Sequence, residues 1–73
     1  KMRPTVWPDR TARRRRRARA AAEEALRETY RALRANDHAF QTAQDRFVIE
    51  QLIFEHAALE CRCRALLREL RGR

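Results

Sequence analysis

Five consecutive arginines occupy residues 13–17, with one more arginine nearby on each side, at residues 10 and 19. Guanidinium groups bind phosphates through paired hydrogen bonds and stay charged at any accessible pH. Adjacent guanidiniums repel one another, and phosphates that bind to them reduce this repulsion. No Asn or Gln stands among these arginines to read base edges, so we expect nucleic acid to be bound without sequence preference. The predicted polyanion-binding residues are Arg10, Arg13, Arg14, Arg15, Arg16, Arg17 and Arg19.

The distribution of charge suggests how this segment relates to the rest of the chain. Residues 1–22 hold nine basic side chains and one acid, whereas residues 23–73 hold nine of each, so the first segment accounts for the net charge of +8. A neutral body with a cationic arm is typical of a chain whose body packs on protein while its arm meets a polyanion. A nuclear-localisation patch, an organelle-targeting segment, a solvated basic face and binding to an acidic protein surface are the alternatives.

The residue types that catalyse reactions or bind metals do not form a site in this sequence. Cys61 and Cys63 would lie about 200° apart on a helix, so they could neither share a metal ion nor form a local disulfide. His38 and His56 do not complete a metal-ligand set or an acid–base pair. We therefore expect no metal, no cofactor and no enzymatic activity. Free cysteines favour an intracellular, reducing compartment, and the sequence does not distinguish the nucleus from the mitochondrion.

Length and composition limit the fold to one small helical unit. The 73 residues include one Gly and two Pro, too few turn residues for a β-sandwich or barrel. No apolar run reaches the roughly 18–20 residues of a membrane span. Both prolines lie in residues 1–9, which predicts an extended arm there. Residues 10–71 contain neither Gly nor Pro and are rich in Ala, Arg, Glu and Leu, which predicts helix.

The helical segment could be one long rod or a hairpin. Asp9 or Thr11 can cap its start. The main candidate for a break is a turn at residues 36–38, which would divide the chain into helices at 10–35 and 39–71. Thr42, with Asp45 at capping-box distance, is a second candidate. We favour the hairpin, because it buries both apolar faces within one chain.

One set of apolar residues recurs every seven positions, which is typical of a seam in a coiled coil. This set is Leu26, Leu33, Phe40, Phe47, Phe54 and Cys61. The companion positions Thr29, Asn36, Ala43, Glu50 and Ala57 are small or polar and are expected to interrupt the seam. In the C-terminal half we expect a second seam to replace it, formed by Val48, Leu52, Leu59, Cys63, Leu66 and Leu70.

Residues 47–54 are apolar on almost every side of the predicted helix, and such a helix is expected to be buried on every side. The first helix offers too few large side chains to cover them. We therefore expect a protein partner, either a second copy or a different chain, to cover residues 47–54. The predicted interface residues are Trp7, Leu26, Tyr30, Leu33, Phe40, Phe47, Val48, Ile49, Leu52, Ile53, Phe54, Leu59 and Leu66.

The preferred hypothesis is a non-enzymatic helical subunit of a larger assembly, anchored on nucleic-acid phosphates by its Arg-rich arm. The alternative is a coiled-coil adaptor whose arm binds an acidic protein surface. A basic run ahead of heptads also resembles basic-zipper transcription factors, with Arg16 ten residues before Leu26 as in that family. Pro8 stands where the family places its base-reading Asn, and phenylalanines replace the later leucines. A zipper-like DNA-binding dimer is therefore the least favoured alternative.

Overall fold

The structure, a computed structural model, describes residues 10–72 and consists of two helices in this range. Helix α1 is Arg10–Thr42 and helix α2 is Arg46–Arg71, and residues 43–45 connect them. No strand occurs in the described range. The predicted all-α fold is confirmed in its hairpin form. The predicted arm over residues 1–9, with the interface candidate Trp7 and the candidate cap Asp9, lies outside the described residues.

The two helices run antiparallel, and two hydrogen bonds between them show how they are aligned. Near the middle of α1, the Asn36 side-chain Nδ2 donates to the Leu52 carbonyl at 3.1 Å. Closer to the start of α1, the Arg19 Nη1 donates to the Leu70 carbonyl at 3.0 Å. Residues near 19 are therefore level with the last turn of α2, and the helices pack along most of the length of α2.

The chain reverses direction at residues 43–45, so the turn predicted at 36–38 is wrong and the break lies at the second candidate, directly after Thr42, with Asp45 as the cap of α2. Asn36 is 4% exposed, and its side chain forms a hydrogen bond with α2. This contact favours a helical position for Asn36 within α1 over a position at the end of the helix. Asp45 adopts an extended conformation, and its Oδ1 accepts hydrogen bonds from the amides of Phe47 at 2.7 Å and Val48 at 3.3 Å. This carboxylate satisfies two of the free amides at the start of α2, which makes residues 43–45 the better place to end one helix and begin the next.

The core between the helices is narrow and contains few large side chains. The buried residues of the described range are Ala22, Thr29 and Asn36 of α1 and Leu52 and Leu66 of α2. Two of these, Thr29 and Asn36, are companion positions that the sequence pattern led us to regard as interruptions of the seam. They are the two most buried, because small side chains on α1 leave room for the leucines of α2. The Thr29 hydroxyl donates to the Ala25 carbonyl at 2.7 Å, so its polar atom is satisfied within α1.

The seven-residue pattern divides at the turn. Leu26, Leu33 and Phe40 are half-buried beside the small residues of α1, whereas Phe47 and Phe54 of α2 are 75% and 74% exposed. The inner side of α2 is instead formed by the second predicted seam, in which Leu52 and Leu66 are buried and Leu59, Cys63 and Leu70 are half-buried, although Val48 is exposed. The first seam therefore predicts the inner face of α1 and the second that of α2, because the two helices meet at a turn rather than as one continuous rod.

We expect Asp45→Ala to lower the free energy of unfolding by about 1 kcal/mol, because two amides of α2 lose their acceptor. Urea denaturation followed by circular dichroism measures the change. Asp37→Ala removes an exposed carboxylate from α1 and is the matched control, expected to stay within about 0.5 kcal/mol of the native chain. An equal loss in both variants would contradict the capping role of Asp45.

We expect Asn36→Asp to destabilise the hairpin by about 2 kcal/mol or more at neutral pH. The new carboxylate would face the Leu52 carbonyl, and the other side-chain oxygen at this position, Asn36 Oδ1, is already buried with no hydrogen-bond partner in residues 10–72. Burial should raise the pKa of the new carboxyl above its unfolded value, so the loss should grow as pH rises and shrink on acidification. Thermal unfolding at several pH values tests this, with the exposed Gln51→Glu as the matched amide-to-acid control.

Candidate polyanion-binding end

The start of α1 extends beyond the end of α2. Arg19 is level with Leu70, and α2 ends at Arg71, so residues 10–17 form a stretch of single helix with no second helix beside most of it. Successive residues of a helix are rotated by about 100°, so the arginines at 10 and 13–17 surround the whole circumference. All six of these side chains are exposed.

The charge of these arginines is not compensated by acids of the described chain. Within residues 10–72, none of the six forms an ion pair. The first turn of α1 contains no acid, so the positive end of the helix dipole adds to the charge of the side chains. Both terms oppose folding of the isolated segment and favour an anion bound there.

Arg19 differs from the other predicted polyanion-binding residues because it contacts both helices. Its Nη1 donates to the Leu70 carbonyl at 3.0 Å, and its Nε lies 3.4 Å from the Glu23 Oε2. The amide of Gly72 donates to the Arg68 carbonyl at 2.8 Å. Two carbonyls in the last turn of α2, those of Arg68 and Leu70, therefore accept hydrogen bonds from outside the helix. Arg19 therefore links the start of the paired region in α1 to the end of α2.

The fold also brings arginines of α2 to the same end, which the sequence analysis missed. Arg68 and Arg71 lie in the last turn of α2, beside the arginines of α1. We call residues 10–22 and 66–72 together the basic end; it contains nine arginines and one acid, Glu69. The turn end, residues 35–55, contains four acids and one arginine. Residues 23–73 have no net charge as a whole. Antiparallel packing places their last arginines at the basic end and four of their acids at the turn end.

Two arginines in the middle of the hairpin, Arg27 and Arg31, have an acidic partner, whereas Arg19 is the one arginine of the basic end in residues 10–72 that does. Arg27 Nη2 lies 2.7 Å from Glu24 Oε1, and Arg31 Nη2 lies 3.5 Å from Glu24 Oε2. The hydrogen bond from Arg27, with the charges of both arginines, lowers the pKa of the Glu24 carboxyl from its usual value. The contrast makes the basic end the strongest candidate for binding an anionic ligand.

The predicted interface residues separate into two groups in the structure. One group lies between α1 and α2, where it is buried or half-buried: Leu26, Leu33, Phe40, Ile49, Leu52, Leu59 and Leu66. The other group is exposed: Tyr30, Phe47, Val48, Ile53 and Phe54. The first group contributes to folding of the hairpin itself. Only the residues of the second group remain exposed, so only they could contact a partner as predicted.

The cysteines and histidines remain separate from one another. Cys61 is exposed and Cys63 is half-buried, and both are free thiols. The neighbouring Cys63 side chain raises the pKa of the Tyr30 hydroxyl above its usual value. His56 Nε2 lies 3.2 Å from Glu60 Oε2, one turn further along α2. In the part of the chain that the structure describes, no group of three or more potential ligands could hold a metal ion.

Similarity to known proteins does not identify the site. The chain matches no family model, and no curated protein or solved structure is detectably similar to it. Neither α1 nor α2 has the length and apolar character needed to cross a membrane. The functional argument therefore depends on the geometry and charge of the hairpin.

Proposed function

We propose that this chain is a non-enzymatic helical subunit that anchors to nucleic-acid phosphates through its basic end and to protein through its exposed apolar residues. The observation that carries the proposal is the concentration of nine arginines and one acid at one end of the hairpin. Guanidiniums pair with phosphate oxygens in a bidentate geometry that suits this density of charge.

The shape of the basic end favours nucleic acid over a single small anion. Residues 10–17 carry arginines on all sides of a single helix, and a helix of this width fits the major groove of B-DNA, where phosphates of both strands flank it. No Asn or Gln occurs in residues 10–22 or 66–72. The binding we propose is therefore positioned by phosphates and independent of base sequence.

An adaptor without nucleic acid is the second candidate. Phe47 and Phe54, each about three-quarters exposed, favour protein binding, and the same arginines could pair with carboxylates of an acidic protein surface. Competition separates the two candidates. Polyglutamate should displace the ligand of an adaptor as effectively as a nucleic acid of equal charge, whereas phosphate-directed binding should resist it. If the chain is an adaptor, its native partner is a protein, and substitution of the arginines at 13–17 should leave the results of nucleic-acid assays unchanged.

Replacing the five arginines at 13–17 by alanine should weaken binding to duplex DNA of arbitrary sequence and to RNA. The log–log salt dependence on DNA should flatten by about 0.9 for each phosphate contact removed. Alanine keeps the helix, so circular dichroism should show similar helicity. Fluorescence anisotropy at several salt concentrations measures the slope. An unchanged slope would contradict the proposed phosphate contacts.

Arg68→Gln with Arg71→Gln should also weaken binding and flatten the salt dependence, although both residues are about fifty positions away from the arginine run. The physical reason is that the fold places them at the same end. Arg31→Gln with Arg34→Gln removes the same charge from the middle of α1 and is the matched control. If both double variants change the slope equally, net charge rather than the basic end determines binding.

A further inference from the structure

The exposed side of α2 carries an apolar stripe, interrupted by Glu50 between Phe47 and Phe54, which we call the outer face of α2. Its members are Phe47, Phe54, Ala57, Cys61 and Ala65, all exposed. The first, second and fourth recur every seven residues, so they lie one above another along the helix. Two phenylalanines about three-quarters exposed on a small hairpin form the kind of apolar surface that usually marks an interface.

The outer face of α2 has large side chains at one end and small ones at the other. Phe47 and Phe54 lie toward the turn, whereas Cys61 and Ala65 lie toward the basic end. A second copy packed antiparallel on this face would place each Phe54 against the small residues Ala57 and Cys61 of the other copy. A parallel copy would instead place phenylalanine against phenylalanine and leave a gap between the small residues.

Of the charged pairs that meet in this antiparallel register, Glu50 with Arg64 is attractive and Arg46 with Arg68 is repulsive, whereas each of these residues would meet its own like charge in a parallel dimer. Glu50 and Arg64 are exposed on this side of α2, and 14 residues, about 21 Å of helix, separate them. They cannot contact each other within one copy. In the antiparallel arrangement Glu50 lies opposite Arg64 of the second copy, and this pairing occurs twice. In a parallel arrangement like charges would meet, and the two basic ends would lie side by side.

We propose that the occupant of the outer face of α2 is a second copy of this chain, bound antiparallel, with the two-fold axis near Ala57. The result is a row of four helices, with the two copies of α2 in the middle, in which the last turn of each α2 lies beside the turn end of the other copy, whose residues 35–55 hold four acids and one arginine. The inference rests on the proposed function only in treating the exposed apolar residues as a protein interface. It requires no nucleic acid.

This arrangement has a consequence for the basic ends. An antiparallel dimer carries them at its opposite ends, with residues 10–17 of each copy extending past the end of α2. Together with the proposed function, the dimer would hold two separate polyanions, one at each end. A parallel dimer would instead concentrate both basic ends on one ligand.

Sedimentation equilibrium of the isolated chain without nucleic acid tests the dimer, with helicity measured on the same samples. We expect a helical dimer, and we expect Phe54→Glu to raise its dissociation constant at least about tenfold. Ala35→Glu adds the same charge to an exposed position of α1 and should leave the dimer intact. A native chain that stays monomeric, whether helical or not, overturns the inference, including the case in which a different protein covers this face.

Disulfide formation tests the orientation. In the antiparallel dimer Ala57 lies near the two-fold axis, whereas the two Cys61 side chains are offset by about 12 Å along the helices. Under oxidising conditions the Ala57→Cys, Cys61→Ser variant should form a covalent dimer, and the native chain with Cys61 should not. Both proteins retain the half-buried Cys63, so it serves as an internal control. Cross-linking of the native chain through Cys61 alone would show a parallel dimer and overturn the proposal.

Charge reversal provides a test that does not depend on cysteine chemistry. Glu50→Arg and Arg64→Glu should each weaken the dimer at low salt by about tenfold, and the double variant should recover native affinity because the pair is between copies. Additive losses in the double variant would contradict the antiparallel register. Because these measurements contain no nucleic acid, their failure leaves the salt-dependence tests of the basic end unaffected.

Discussion

The turn at residues 43–45 sets the register between α1 and α2, and the other features of the hairpin depend on that register. Asp45 begins α2 by accepting from the amides of Phe47 and Val48, and the resulting alignment brings Asn36 to the Leu52 carbonyl. A turn seven residues earlier would have made α1 shorter and exposed the buried asparagine. A polar side chain in a narrow helix interface needs a hydrogen-bond partner, and a shifted alignment of the two helices would remove the one that Asn36 has. This contact therefore favours the observed alignment over shifted ones.

The register decides which apolar residues the chain buries for itself. Small residues of α1 face leucines of α2, and the described range has only five buried residues. A core of this size contributes little beyond the conformational entropy lost on folding, as is usual for chains of this length. Phe47 and Phe54 remain on the opposite side of α2. The apolar surface most able to add stability is therefore outside the hairpin, available for association.

The same register separates charge along the molecule. The last turn of α2 brings Arg68 and Arg71 to the start of α1, and the acids near the turn are carried to the far end. The mutual repulsion of the basic end is a cost in the free chain that a polyanion or an acidic neighbour would remove. Both the proposed phosphate binding and the proposed antiparallel association use this asymmetry, one at the end of the hairpin and the other along its side.

The sequence by itself determined the helical class and the position of the arginine run. The absence of Gly and Pro from residues 10–71 leaves little alternative to helix, and consecutive arginines must surround whatever helix contains them. Both properties are local, so neighbouring residues suffice to predict them. The seven-residue pattern also identified Leu26, Leu33 and Phe40 as the inner side of α1, although it could not show that Thr29 and Asn36 would be buried with them.

Only the tertiary structure decided which of the two candidate breaks the chain uses, that the exposed side of α2 is the one with Phe47 and Phe54, and which arginines share an end. No glycine or proline marks residues 43–45, and the asparagine that resembled a helix end forms a buried contact instead. Whether Phe47 points toward α1 or away from it depends on the rotation of α2 after the turn. The partnership of Arg19 with Leu70, 51 residues apart, depends on the same alignment. Such long-range pairings follow from the packing of two helices, which no local pattern encodes.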